Sequence, residues 1–310
     1  MHEQNRSADA RASREARLEK LAQSRKKSPL MAVVGRFLDI DGATQSGLVS
    51  LQLFSTVIPL IIIGFGYLSG FAANASVGDL LIRQFGLLPP LTDRVRDAFG
   101  PASAFQSRWT FIGVAGFLAM GIPMSVTVSG MFARAWRRSQ FKMVEKLARG
   151  ALWFALFLGT LIARERIGFG GQHGAAIHAA LLVVALLPQW AFWSLTPWLL
   201  VRNGGRGWRY LLLAGLAGVV IDGVVLELAA RAFFPVLLKG WTGFGPIGVA
   251  MMLMTWCGVV ATAWVIIACV GAILWERSAP ARIVVEVQVA APEPVAATPV
   301  GDEASSEEKA

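Results

Sequence analysis

Residues 208–238 read WRYLLLAGLAGVVIDGVVLELAARAFFPVLL, an apolar run of membrane-spanning length that carries Asp222, Glu227 and Arg231 well inside it. A helix rises about 1.5 Å per residue, so Asp222 lies about 20 Å along the axis from Arg209, deep within a hydrocarbon layer about 30 Å thick. A charged side chain that faced lipid at this depth would cost at least about 2.5 kcal/mol. The run therefore predicts a transmembrane helix whose Asp222 faces a bundle interior, a water-filled cavity or a partner.

Two interpretations of Asp222 remain open. Intramembrane ionisable residues usually mark a transport pathway or a proton relay, which favours a functional role. The structural alternative is a buried hydrogen bond to a Ser, Thr or Trp of a neighbouring helix. Gly215, Gly218 and Gly223 flank the acid and would let such a helix approach closely under either interpretation.

Glu227 and Arg231 lie four residues apart on one helical face, in the order that favours an ion pair. Both are expected near the far end of the span, close to the membrane interface. We interpret them as a structural ion pair rather than as part of a pathway.

The composition indicates an all-α, polytopic membrane helical bundle. Of the 310 residues, 55% are hydrophobic and 16% are charged, with a mean hydropathy of +0.55, which excludes an ordinary soluble domain. Apolar runs predict six transmembrane helices, at about 48–71, 109–132, 150–163, 175–201, 208–238 and 247–275. On this topology 21 of the 29 Lys and Arg residues lie on the side of the N-terminus. The positive-inside rule then predicts that both termini are cytoplasmic.

The regions outside the spans have distinct compositions. The predicted organisation is a polar cytoplasmic tail (1–28), an interfacial amphipathic helix (29–41), the six-span domain (47–277) and a disordered cytoplasmic tail (278–310). In the amphipathic helix, apolar residues recur at helical spacing from Leu30 to Leu38, and Arg36 lies off that stripe. Between the first two spans, residues 76–99 predict two short external helices. The net charge of +9 is attributed to membrane orientation and to contact with membrane lipids, not to nucleic acid.

Polar residues and prolines of the other spans are candidates for a pathway with Asp222. They are Ser55, Thr56, Pro59, Gln189 and Thr255. A proline inside a span removes a backbone hydrogen bond, and a neighbouring helix or water must then satisfy the freed carbonyl.

No cysteine or histidine pattern points to a metal or a cofactor. Cys257 and Cys269 are about 18 Å apart along one helix, too far to be bridged. His2, His173 and His178 form no metal-ligand cluster with cysteine or carboxylate. We therefore predict that the protein is not an enzyme and binds no cofactor.

Short motifs in order along the chain resemble those of the YihY/BrkB family of six-span bacterial inner-membrane proteins. They are Phe54-Ser55-Thr56-Val57-Ile58-Pro59, Trp136, Gly207-Trp208-Arg209, Phe244-Gly245-Pro246-Ile247-Gly248, Trp256 and Gly271-Ala272. The family commonly continues its closing Gly-Ala with Glu, whereas here Ile273 follows and Glu276 comes three residues later. The resemblance implies a membrane protein linked to envelope integrity and to export of envelope lipids.

Three functions follow from these observations. The first is a transporter-like protein that moves a lipid or a small polar solute past Asp222. The second is a non-transporting membrane scaffold, whose basic N-terminal arm and tail dock partners or anionic lipids. A nuclease is disfavoured because phosphodiester cleavage by metal ions needs clustered carboxylates or histidines in water, and the inside loops offer mainly Glu145.

Overall fold

The computed structural model describes residues 28–63, 92–93, 109–168, 175–281 and 283–284, and these residues form helices and no strand. The helices are α1 (Pro29–Asp39), α2 (Gly42–Ile63), α3 (Trp109–Ala135), α4 (Met143–Gly168), α5 (Ala175–Leu200), α6 (Trp208–Gly218), a π-helical segment (Val219–Val225), α7 (Leu226–Trp241), a 3₁₀ turn (Thr242–Phe244) and α8 (Gly245–Ser278). The predicted N-terminal tail up to residue 27, the external helices of 76–99 apart from residues 92–93, and the tail beyond 284 lie outside the described residues.

Three helical stretches within the described residues are long and apolar enough to cross a membrane. They are Met143–Ala163, Trp208–Leu237 and Ile247–Ser278, which correspond to the predicted third, fifth and sixth spans. The prediction of an all-helical protein is therefore confirmed for the described residues, and three of the predicted spans are helices long and apolar enough to cross a membrane. The other predicted spans fall on α2, α3 and α5, which are 22, 27 and 26 residues long, and the number of six crossings stays a prediction.

One end of the helical bundle brings together the starts of α2, α4 and α6 and the ends of α3, α5 and α8. The contacts that show this are Arg36 Nη1 to Ala135 O (2.6 Å), Arg137 to Asp39 (2.8 Å), Arg149 to Trp198 O (3.5 Å), Trp275 Nε1 to Arg206 O (3.2 Å) and Arg36 to Glu276 (2.8 Å). The long helices therefore alternate in direction along the chain.

Helix α1 is held to this end of the bundle by a buried ion pair. Both Glu276 carboxylate oxygens accept from Arg36 Nη2, at 2.9 and 2.8 Å, and the Arg36 side chain is only 3% exposed. Val33 and Phe37 pack against the core, whereas Leu30 and Leu38 are about 70% exposed. The amphipathic pattern placed Arg36 off the buried face; the structure buries it because its carboxylate partner lies inside the bundle.

The bundle extends past residue 277, where the disordered tail was predicted to begin. Ala279 and Val284 are fully buried in the hydrophobic core, and Ile283 packs against it. The chain therefore packs on the bundle as far as Val284, because the apolar side chains of these residues are buried against the core.

A second arginine lies beside this ion pair. The Arg138 guanidinium stacks 4.9 Å from the centre of the Trp275 ring. Burial lowers the pKa of Arg138 to about 10, the nearby Glu276 carboxylate opposes that change, and Arg206 adds to it. The Arg138 side chain therefore stays charged at neutral pH.

Candidate functional site

Asp222 lies in the π-helical segment Val219–Val225, which joins α6 to α7. In an α-helix two positions five residues apart point about 140° away from each other. A π-helix has wider turns, with hydrogen bonds between residues five apart, so the side chains of two such residues point in more similar directions than in an α-helix. As a result Asp222 and Glu227 line the same pocket, and segments of this kind are frequent at functional sites.

The Asp222 carboxylate accepts hydrogen bonds from side chains of two other helices. Gln189 and Trp193 of α5 donate to Oδ2, from Nε2 at 2.5 Å and from Nε1 at 3.2 Å, respectively. Trp264 Nε1 of α8 donates to Oδ1 at 3.4 Å. These N–H groups stabilise a carboxylate within the bundle, since a buried acid without donors would be costly.

The glycines beside Asp222 allow α5 to approach this closely. A Cβ atom at Gly218 would lie 2.5 Å from Trp193 Cγ, and one at Gly223 would lie 2.6 Å from Gln189 Oε1. Both distances are shorter than any real carbon contact. The two glycines thus leave the space in which the donors of α5 lie close to the carboxylate.

A pocket of about 190 Å³ opens beside Asp222. Its lining combines polar groups with aromatic rings, namely Asp222, Glu227, Gln189, Thr160, Phe157, Phe192, Trp256 and Trp264. Arg231 Nη2 donates to Glu227 Oε1 at 3.1 Å, and its side chain is 68% exposed, against 22% for Glu227. The structure thus contains the predicted ion pair, and it places Glu227 on the pocket wall beside Asp222.

Aromatic side chains form one continuous cluster behind the pocket. Trp153, Phe157, Phe192, Trp193 and Trp264 contact one another with ring centres 5.1 to 6.1 Å apart. Trp153 is fully buried, and its Nε1 donates to Thr196 Oγ1 at 3.1 Å. The cluster joins α4, α5 and α8 and fixes the two tryptophans that donate to Asp222.

Among the other predicted pathway residues, only Gln189 reaches Asp222. Thr56 is buried, with its Oγ1 donating to Gln52 O at 2.7 Å and lying 3.8 Å from Met124 Sδ. Ser55 donates to Leu51 O at 2.8 Å, and Pro59 is buried opposite Gly116. The residues of the first predicted span therefore pack against α3 rather than line the Asp222 pocket.

Thr255 lies on a separate and larger groove of about 750 Å³. Its walls come from α1, α2, the π-helical segment, α7 and α8, and they are mainly apolar. Thr255 Oγ1 donates to Met251 O at 2.8 Å within its own helix. Leu226 lines both the groove and the Asp222 pocket, so it separates the two spaces.

One buried acceptor at the site has no hydrogen bond. Gln189 is 8% exposed, and its Oε1 finds no donor among the residues that the structure describes. Ser194 Oγ, one turn further along α5, is in the same situation. A buried polar atom without a partner costs about 1–3 kcal/mol. Gln189 Oε1 is enclosed by protein and faces Gly223.

Sequence reasoning missed several residues of the site. Trp193 and Trp264 are two of eleven tryptophans, and no spacing distinguishes them as donors to Asp222. The shared pocket of Asp222 and Glu227 depends on the π-helical segment, which no residue pattern in the sequence predicts. The five-residue spacing of the two acids was visible, but on an α-helix it separates them.

The described residues contain no group of three or more His, Cys, Asp and Glu side chains placed to hold one metal ion. Comparisons with known proteins give no match to a family model, to a curated protein or to a solved structure. The resemblance to the YihY/BrkB family therefore remains a prediction from short motifs.

Proposed function

We propose that this protein is a multi-pass inner-membrane protein of the YihY/BrkB type that moves a lipid or a small polar solute across the membrane. In this proposal six helices cross the bilayer, both termini are cytoplasmic, and the protein is not an enzyme. Two observations support this topology: the long helices alternate in direction, and basic residues gather at the end of the bundle where α2, α4 and α6 begin.

The observation that carries the proposal is the placement of Asp222. It lies in the stretch Trp208–Leu237, which is long and apolar enough to span, and it lines a pocket shared by α4, α5, α7 and α8. Polar groups held inside a membrane bundle are costly, and transporters often place them where a helix departs from regular α geometry. The π-helical segment at Asp222 is such a departure.

The test is translocation in proteoliposomes. Wild-type protein should move at least one labelled lipid or polar solute, and Asp222→Asn should reduce the initial rate by at least about tenfold, since one lost charge-assisted contact is worth about 1.5–3 kcal/mol. Glu145→Gln is the matched control, because Glu145 pairs with Arg149 at 2.9 Å on the surface of α4. That control should keep the wild-type rate.

The scaffold hypothesis predicts the reverse pattern in cells. Deletion of residues 1–28 would then abolish the phenotype, whereas Asp222→Asn would leave it intact. That result, together with no translocation by the wild type for any lipid or solute tested, would overturn the transport proposal.

A further inference from the structure

The buried carboxylate of Glu276 has two arginines beside it, and they are held in different ways. Arg36 of α1 donates from Nη2 to both carboxylate oxygens, at 2.9 and 2.8 Å. Arg138 belongs to the connection between α3 and α4. Burial lowers the pKa of Arg138, and the nearby Glu276 carboxylate acts in the opposite direction. The charge of Glu276 therefore reaches both arginines.

Two donor groups of Arg138 have no acceptor. Its Nε and Nη1 are enclosed by protein and form no hydrogen bond within the part of the chain that the structure describes. The guanidinium lies 4.9 Å from the centre of the Trp275 ring, and Trp275 is the residue before Glu276. A ring face replaces only part of the hydration that a buried cation loses. A second position, in which these N–H groups bond a carboxylate, would lower that cost.

Helix α1 packs on the bundle through a narrow inner face. Val33 and Phe37 pack against the core and remain partly exposed. The surface pair of Asp39 with Arg137 has both side chains more than half exposed, and pairs of this kind contribute little. The buried ion pair of Arg36 is therefore the main polar attachment of α1.

The junction between α1 and α2 is short and non-helical. Only Ile40 and Asp41 separate the two helices, and Asp41 adopts a left-handed conformation with φ 54°. Changes of φ and ψ at one or two such positions are enough to turn a helix relative to the next. Phe37 lines the apolar groove between α2 and α8. A turn of α1 about this junction would therefore remove one wall of the groove.

We propose that Arg138 is an alternative partner of Glu276 and that α1 is a lid at this end of the bundle. In the closed position Arg36 binds Glu276, as the structure shows. In the open position α1 turns away, and Arg138 takes the place of Arg36 on the carboxylate. Glu276 keeps a cation in both positions, so opening avoids the cost of an unpaired buried charge. The proposal goes beyond the transport function and does not depend on it.

The rate of thiol labelling on the inner face of α1 tests this proposal. The reporter is Val33→Cys in the purified full-length protein in detergent, with the buried Cys257 and Cys269 replaced by Ala. N-ethylmaleimide reacts with this cysteine faster when α1 spends more time open. Val34→Cys lies on the outer face, at a position that is 45% exposed, and is the matched control. Its rate should be the same in every arginine variant.

Substitution of the two arginines should change the labelling rate in opposite directions. Arg36→Gln should raise it by about tenfold or more, because the closed position loses its charged hydrogen bonds. Arg138→Gln should lower it by at least about threefold, because the open position loses its cation while the closed position keeps Arg36. Arg138→Lys keeps a positive charge and should stay close to the wild-type rate. Arg137→Gln removes a contact with Asp39 of α1 and should raise the rate slightly.

Thermal unfolding gives a second test that needs no change at Arg138. Arg36→Gln and Glu276→Gln break the same ion pair. Arg36→Gln should lower Tm by about half as much as Glu276→Gln, or less, because Arg138 then binds the carboxylate. Glu276→Gln instead leaves two buried guanidinium groups without it.

The results decide the proposal as follows. Slower labelling in Arg138→Gln, together with the smaller loss of Tm in Arg36→Gln, supports the lid. Labelling that is faster or unchanged in Arg138→Gln shows that Arg138 only supports the packing around Trp275, and it overturns the proposal. Equal losses of Tm in Arg36→Gln and Glu276→Gln also overturn it, because Arg138 then does not replace Arg36. If Arg138→Gln does not fold, the comparison of Tm decides alone.

Discussion

At the scale of single residues, the two most informative side chains are carboxylates held inside the bundle in different ways. Asp222 accepts from three neutral N–H donors and faces a pocket. Glu276 faces a cation and accepts two charge-assisted bonds from Arg36. The first carboxylate lies on the wall of a pocket, whereas the second fixes α1 to the end of α8. The depth of Asp222 within a membrane-spanning run predicted that this acid faces the bundle interior. No pattern in the sequence paired Glu276 with Arg36, which lies 240 positions away.

The Arg36–Glu276 pair gives a prediction about stability. Glu276→Gln should lower the free energy of unfolding by about 3–5 kcal/mol, because it leaves a buried guanidinium without its carboxylate. Asp39→Asn is the control, since Asp39 pairs with Arg137 at a similar distance but both side chains are more than half exposed, and it should cost at most about 1 kcal/mol. Unfolding in mixed detergent micelles measures both. Equal losses in the two variants would show that the buried pair does not anchor α1.

At the scale of elements, the stretch from α6 through α7 determines the site. Its existence and its length were predictable from the apolar run 208–238, because a membrane span needs about 20 apolar residues whatever their order. Its π-helical segment was not predictable, since Val219–Val225 consists of Val, Ile, Asp and Gly with no distinctive spacing. The prolines at 59, 123, 188 and 197 lie inside α2, α3 and α5, which continue through them.

The close approach of α5 to the α6–α7 stretch gives a second stability prediction. Gly218→Ala should destabilise the protein by about 1–3 kcal/mol, because the new methyl group would overlap the Trp193 ring and force it to move. Gly159→Ala on the exposed side of α4 has open space and should be neutral or stabilising by up to about 1 kcal/mol. Thermal unfolding of the two variants compares them directly. A Gly218→Ala protein as stable as the wild type would mean that α5 lies further away than described.

At the scale of the whole molecule, the helices alternate in direction, and a pocket lined by acidic and aromatic side chains lies between them. Composition and hydropathy were enough to predict the membrane class and the helical fold. They were not enough to predict which polar residues meet, because Gln189 joins Asp222 while Thr255 faces the apolar groove and Thr56 packs against α3. Such pairings depend on how helices rotate about their axes, which tertiary packing sets.

The central claim is that the Asp222 pocket lies on a path through the membrane. Thiol labelling of Thr160→Cys tests it most directly, with Cys257 and Cys269 replaced by Ala, since both are buried in the core. We predict that a membrane-impermeant thiol reagent modifies this cysteine in sealed vesicles from at least one side. Thr196→Cys, at a fully buried position, should stay unmodified. No modification of Thr160→Cys from either side would contradict the account.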